Sequence, residues 1–260
     1  MPQKLALVTG ASSGIGAATA ERLAREGYRV VLVARSREKL DDVARRIGPL
    51  ASIECLDAAD GEAVIAMAER VRSSVGIPDV IVNAAGAGAW KRIEETSPAE
   101  ARAMMDAPYF AAFHVVHAFM QDMLGRNSGV IVHIGSPGAW APWPSSVGYA
   151  GARWALRGLH EALCSDLAGT GVHSCHVLFG KVESAYFETN ENTASRMPGI
   201  VRLARTITPD ECAEVILRTV RRPRHTVIYP PMARVLVATH AVAPWLTRWM
   251  MARSGYRLRS

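Results

Sequence analysis

The sequence predicts an α/β domain in which one seven-stranded parallel sheet is doubly wound by helices. Two observations carry that prediction. Short apolar runs, among them Leu5–Val8, Val30–Val33 and Val80–Val82, alternate with longer segments of helical periodicity along most of the chain. The first run enters a glycine-rich turn, Thr9-Gly10-Ala11-Ser12-Ser13-Gly14-Ile15-Gly16, that leads directly into a helix. A length of 260 residues with 49% apolar content suits one large domain with a sizeable core.

The turn after the first strand is the first candidate site. Glycine tolerates positive φ and admits a ligand close to the backbone. The amides of such a turn, with the positive end of the following helix, suit a pyrophosphate. The Gly-x-x-x-Gly-x-Gly spacing is neither the Gly-x-Gly-x-x-Gly fingerprint nor a P-loop, because no Gly-Lys-Ser/Thr follows. Gly10, Ser12, Ser13, Gly14, Ile15 and Gly16 form the expected dinucleotide cradle; a plain strand-to-helix turn is the alternative. A helix over 17–26 leads to a second strand over 28–34, after which Arg35 stands beside the place of an acid that would bind a ribose 2′-hydroxyl. Arg35, with Arg37 and Lys39, suits a 2′-phosphate, so NADP(H) is expected over NAD.

A helix over 37–47, a strand over 51–56 ending at Asp57, and a helix over 60–74 follow. A fourth strand over 79–82 runs into Asn83-Ala84-Ala85-Gly86. A long helix is expected around 101–123, with Pro108 kinking or restarting it. His114 and His117 share a face there and are expected to pack. A fifth strand over 129–136 ends at Ser136; Tyr149, thirteen positions on, opens a helix to 168 and shares a face with Arg153 at i+4. A sixth strand over 174–178 leads to Phe179-Gly180, then Val182 and Ser184. Residues 185–205 read as a lid, Thr208-Pro209 caps a helix over 209–221, and 226–229 is a seventh strand.

Thr9-Gly10-x-x-x-Gly14-x-Gly16, Asp57, Asn83-Ala84-Ala85-Gly86, and Ser136 ahead of Tyr149 resemble, in order and spacing, the short-chain dehydrogenase/reductase family. The resemblance covers nearly the whole chain and implies a Rossmann-like fold. It implies that Asp57 meets the adenine, that Asn83, Ala84 and Gly86 support the sheet beside the cofactor, and that Gly180, Val182 and Ser184 lie near the nicotinamide. It further implies Tyr149 as acid/base and Ser136 as the holder of the substrate oxygen. Arg153 stands in place of the family's lysine, Asp106 in place of an asparagine, and Phe179 in place of a proline. A guanidinium still favours a phenolate and can reach ribose hydroxyls, but it does not relay protons. Asp106 and Arg153 are therefore expected to form a charged pair that replaces an asparagine–water–lysine link. The expected activity is hydride transfer between NADP(H) and a bulky, apolar ketone or secondary alcohol. The alternative is a cofactor-binding protein without turnover, regulatory or scaffolding. The family's habit of pairing through two long helices implies a homodimer or homotetramer.

The formal charge is +6, and nine arginines with no acidic residue lie between Val215 and Ser260. Residues 232–260 read as a basic amphipathic extension of the domain formed by 1–231, covering the pocket or packing on a partner subunit. Peripheral membrane contact is the alternative for this tail. No nucleic-acid reader motif accompanies the basic charge, so no nucleic-acid partner is expected. Trp90, Trp140 and Trp143 are expected to border the substrate cleft; ordinary loop packing is the alternative for each. Cys55, Cys164, Cys175 and Cys212 are widely separated without metal or redox spacing, so free thiols, a cytoplasmic location and no metal site are expected. The chain starts almost directly on its first strand, so no signal peptide is expected, and no apolar run is long enough to span a bilayer.

Overall fold

The computed structural model describes residues 3–86, 88–141, 143–183, 196–202 and 204–254. Its strands are β1 (Leu5–Thr9), β2 (Arg29–Ala34), β3 (Ala51–Cys55), β4 (Val80–Asn83), β5 (Gly129–Gly135), β6 (Val172–Phe179) and β7 (Thr226–Tyr229). They form one sheet in the order β3-β2-β1-β4-β5-β6-β7, with every neighbouring pair parallel. The strand order reverses between β1 and β4, which opens a crevice at their carboxyl ends. Thr9 lies opposite both Val33 and Asn83, so the glycine turn and the Asn83 segment leave the sheet side by side.

Alternate side chains of the central strands enter two separate cores, which is why these strands read as continuous apolar runs. Ala6, Val8, Val30, Leu32 and Val82 face α1 (Gly14–Arg25), α2 (Arg37–Ile47) and α7 (Pro209–Arg221). Leu5, Leu7, Val31, Val33 and Ile81 face α3 (Gly61–Ser74) and α5 (Ala111–Arg126). The helix α6 (Val147–Asp166) packs on β5 and β6.

Two segments are divided in the structure. In place of one helix over 101–123, α4 (Pro98–Met105) passes through a π-helical turn, Asp106–Phe110, into α5. Pro108 has no N–H and its ring would meet the carbonyl one turn back, so the chain widens there and the Ala111 N–H donates to the Asp106 carbonyl. The tail is broken into α8 (Pro231–Val242) and α9 (Pro244–Ser254), because Pro244 drives Ala243 out of helical geometry. Val237 and Met251 turn inward while Trp245 and Trp249 stay exposed. Among the described residues no helix is long and apolar enough to cross a membrane.

Three imidazoles are fully buried: His133 on β5, His176 on β6 and His160 on α6. His133 Nδ1 lies 3.3 Å from Asn83 Nδ2, and burial, reinforced by the nearby His160, pulls its pKa down to about 3. That value is below the ordinary value of about 6.5, so the unfolded chain binds more protons and stability falls as pH falls below 6.5. At pH 5 this residue alone is expected to cost ~2 kcal/mol relative to pH 7. Urea unfolding at both pH values checks it: His133→Gln should lose ~2 kcal/mol less than the parent on acidification, and equal losses would contradict the assignment.

Candidate active site

The glycine turn is shaped by close backbone approach. Gly10 has φ +67°, and a Cβ on it would lie 2.8 Å from the Ala85 nitrogen and 2.9 Å from the Ala84 oxygen. The Ala85 N–H donates to Thr9 Oγ1 at 3.1 Å, which locks the turn after β1 to the segment after β4. A Cβ on Gly16 would overlap the Gly10 carbonyl, so the first turn of α1 can sit against the loop only with hydrogen at that position. Ser13 caps α1 in an extended conformation without a side-chain bond, and no acid occupies the first turn. The helix therefore presents free amides and an uncompensated positive end toward Gly10–Gly16. Beyond β2 and β3, Arg35 Nη1 stands 3.8 Å from Asp57 Oδ2. The Arg35 side chain is 77% exposed, so this pair is weak and the guanidinium is free to turn to a phosphate. Asp57 is held by the Ala59 N–H, which donates to Oδ1 at 3.0 Å.

At the end of β5, buried Ser136 accepts the Gly138 N–H at 3.2 Å and caps the short helical turn Pro137–Ala139. A Cβ on Gly138 would lie 3.1 Å from Trp143 and 3.4 Å from Tyr149 Cε1, so this turn packs directly on both rings. Tyr149 sits in the first turn of α6, and one turn on, the Arg153 guanidinium carbon lies 5.2 Å from its ring centroid. Arg153 Nη1 donates to the Ile134 carbonyl at 3.1 Å, and Nη2 lies 2.7 Å from where a Gly86 Cβ would be. One guanidinium thus joins the β5 end, the Asn83–Gly86 segment and the Tyr149 ring. A lysine ammonium has neither the reach nor the planar fork for all three.

The expected Asp106–Arg153 ion pair is not formed among the described residues. Arg153 gives one donor, Nη1, to Ile134 and packs against Gly86, while Asp106 lies in the π-helical turn that packs on α6. The Gly180 N–H donates to the Tyr229 carbonyl at 2.9 Å, and Val182 pairs with Ile207. Ser184 and positions 185–195 of the expected lid lie outside the described residues.

An apolar wall rises beside Tyr149. Trp90 and Trp143 meet edge to face at 5.1 Å and cluster with Met197 and Met251, flanked by Tyr149, Val201 and Leu236. Leu236 and Met251 come from α8 and α9, so the tail lines this wall. The Nε1 donors of Trp90 and Trp143 are buried without a partner among the described residues. Trp140 is engaged elsewhere: the Arg157 guanidinium stacks 3.4 Å above its ring. Sequence reasoning also missed the Arg196–Glu95 pair, with Nη2 2.9 Å from Oε1, which ties the far side of the lid region to the loop after β4. This arginine holds the Glu95 carboxyl down at about 2. The two residues are a hundred positions apart, and no local pattern links them.

Three comparisons bear on this geometry. A family model described as short chain dehydrogenase matches residues 4–195. An uncharacterized oxidoreductase of Mycobacterium tuberculosis is 32% identical, covering 93% of this chain and 70% of its own length. A fatty acyl-CoA reductase of Acinetobacter baylyi is 28% identical, covering 96% of this chain and 83% of its own. A metagenomic short-chain oxidoreductase solved in complex with NADP is 30% identical with a TM-score of 0.73, covering 86% of this chain and 96% of its own.

Proposed function

The chain belongs to the short-chain dehydrogenase family, and on that premise we propose that it is an NADP(H)-dependent oxidoreductase acting on a carbonyl or secondary alcohol attached to a bulky apolar group. One observation carries the reading: the Tyr149 ring is held between the Arg153 guanidinium and the Trp90–Trp143 wall, with the Ser136 turn against its edge. The side-chain-free cradle of Gly10 and Gly16, the free amides of α1 and the exposed Arg35 fit a dinucleotide bearing a 2′-phosphate. The NADP bound by the metagenomic neighbour supports the same cofactor.

When bound, the nicotinamide supplies or accepts the hydride. Each remaining step belongs to the chain. Ser136 Oγ hydrogen-bonds the substrate oxygen and stabilises the charge that develops there. Tyr149 gives its proton to that oxygen in reduction and takes it back in oxidation. Arg153 packs its guanidinium against the Tyr149 ring and is itself fixed by its bond to the Ile134 carbonyl. No proton step is assigned to Asp106. The wall formed by Trp90, Trp143, Met197 and Met251 excludes water and selects an apolar substituent, a preference that the name of the Acinetobacter relative also supports.

Cofactor titrations test the reading. Arg35→Ala is expected to weaken NADPH about tenfold or more and leave NADH within about twofold, because a charge-assisted bond to phosphate is worth ~1.5–3 kcal/mol. Equal losses for the two cofactors would contradict the placement of Arg35 at the 2′-phosphate.

A further inference from the structure

We propose that His160, Cys164 and His225 form a binding site for a borderline-soft divalent cation of the zinc type, separate from the redox site and independent of it. His160 and Cys164 are four residues apart on α6 and share a face near its C-terminal end; His225 immediately precedes β7. One ligand atom from each of the three residues lies within 4.8 Å of the others, and Cys164 Sγ is 3.7 Å from His160 Nδ1 and 3.8 Å from Nε2. Zinc–sulfur and zinc–nitrogen bonds of ~2.3 and ~2.0 Å in a tetrahedron put ligand atoms roughly 3.5 Å apart. The present spread closes to that by rotation of His225, whose side chain is 52% exposed and would give up one of its two oxygen partners.

The surroundings are those of a built site. His160 Nδ1 lies 2.9 Å from Ser174 Oγ, which leaves Nε2 for a metal. Whichever nitrogen of His225 binds, the other has an oxygen partner: Glu161 Oε2 is 3.1 Å from Nε2, and Thr226 Oγ1 is 2.9 Å from Nδ1. Such outer bonds orient metal-bound imidazoles and strengthen them as donors. Cys164, Ser174 and His225 also border a cavity of about 280 Å³, which gives water access to a fourth coordination position. One thiolate and two imidazoles select zinc, or cobalt in its place, over magnesium or calcium, which prefer oxygen ligands. His160 lies eleven residues beyond Tyr149, about 16 Å along the same helix. A bound ion would therefore clamp the C-terminal end of α6 to the approach to β7, away from the tyrosine.

The test uses the full chain stripped of metal and titrated with zinc or cobalt salts alone. One equivalent of zinc should bind, weakened about tenfold or more by Cys164→Ser and by His225→Ala and unchanged by Cys55→Ser, which alters an exposed thiol elsewhere. Cobalt should give the visible bands of a tetrahedral ion and a thiolate charge-transfer absorption that Cys164→Ser abolishes. Binding unaffected by His225→Ala, less than one equivalent of zinc, or a cobalt spectrum without thiolate absorption would overturn the proposal. Should Cys164→Ser unfold, the surface variant His225→Ala decides alone. NADPH affinity, measured on the same samples, should stay constant, so failure of the metal site and failure of the redox reading are told apart.

Discussion

Replacing Tyr149 by phenylalanine is expected to lower kcat/KM about 1,000-fold while leaving NADPH affinity within about twofold. The substitution removes one hydroxyl and keeps the ring that Arg153, Trp90, Trp143 and the Gly138 turn hold in place. Packing and cofactor cradle should therefore survive, and the loss should fall on kcat, since the missing proton matters only as the oxygen gains or loses charge. Steady-state kinetics beside a fluorescence titration of NADPH separate the two quantities. A loss of less than about tenfold would assign the proton to another group. Asp106 would be the first to examine, because its turn packs on α6.

Gly16→Ala is expected to weaken NADPH about a hundredfold and to destabilise the fold by ~1–3 kcal/mol. Its methyl group would overlap the Gly10 carbonyl, a backbone atom that cannot rotate away. Either the first turn of α1 retracts or the loop opens, and both displace the amides meant for the pyrophosphate. Gly125→Ala is the matched control. That position is helical in α5 and its Cβ would meet nothing within 4 Å, so binding should be untouched and stability should rise by up to ~1 kcal/mol. Equal NADPH affinity in the two variants would remove the diphosphate from this turn.

What the sequence showed well was whatever physics writes locally. Strands buried on both faces appear as apolar runs, and all seven strands were placed, β7, an edge strand of half-buried residues, to the residue. The cap at Thr208 with Pro209 next to it located α7 to the residue as well. Pro108 announced a disturbance, but whether a helix bends, stops or widens depends on its neighbours, and here it widens into a π turn. The glycines, Ser136 and Tyr149 were visible through spacing. The course of Arg153 was not: its Nη1 reaches the Ile134 carbonyl because Gly86, in the segment after β4, leaves room for the guanidinium. The same reason hid Leu236, Met251 and the Arg196–Glu95 pair, which the fold brings to the cleft from distant segments. The His160–Cys164 spacing is visible in the sequence, yet His225 joins it only once β7 pairs with β6.

In the proposed reaction a carbonyl on an apolar substrate is reduced beside Tyr149 by hydride from NADPH. Incubating the protein with NADPH carrying deuterium at the transferable C4 position, together with long-chain aldehydes and ketones, tests it most directly by mass spectrometry of the alcohol formed. One deuterium should appear on the carbinol carbon of the product, formed faster as the apolar chain lengthens and lost in Tyr149→Phe. Tight NADPH binding with no deuterated alcohol from any member of the series would contradict it and leave a cofactor-binding protein without turnover.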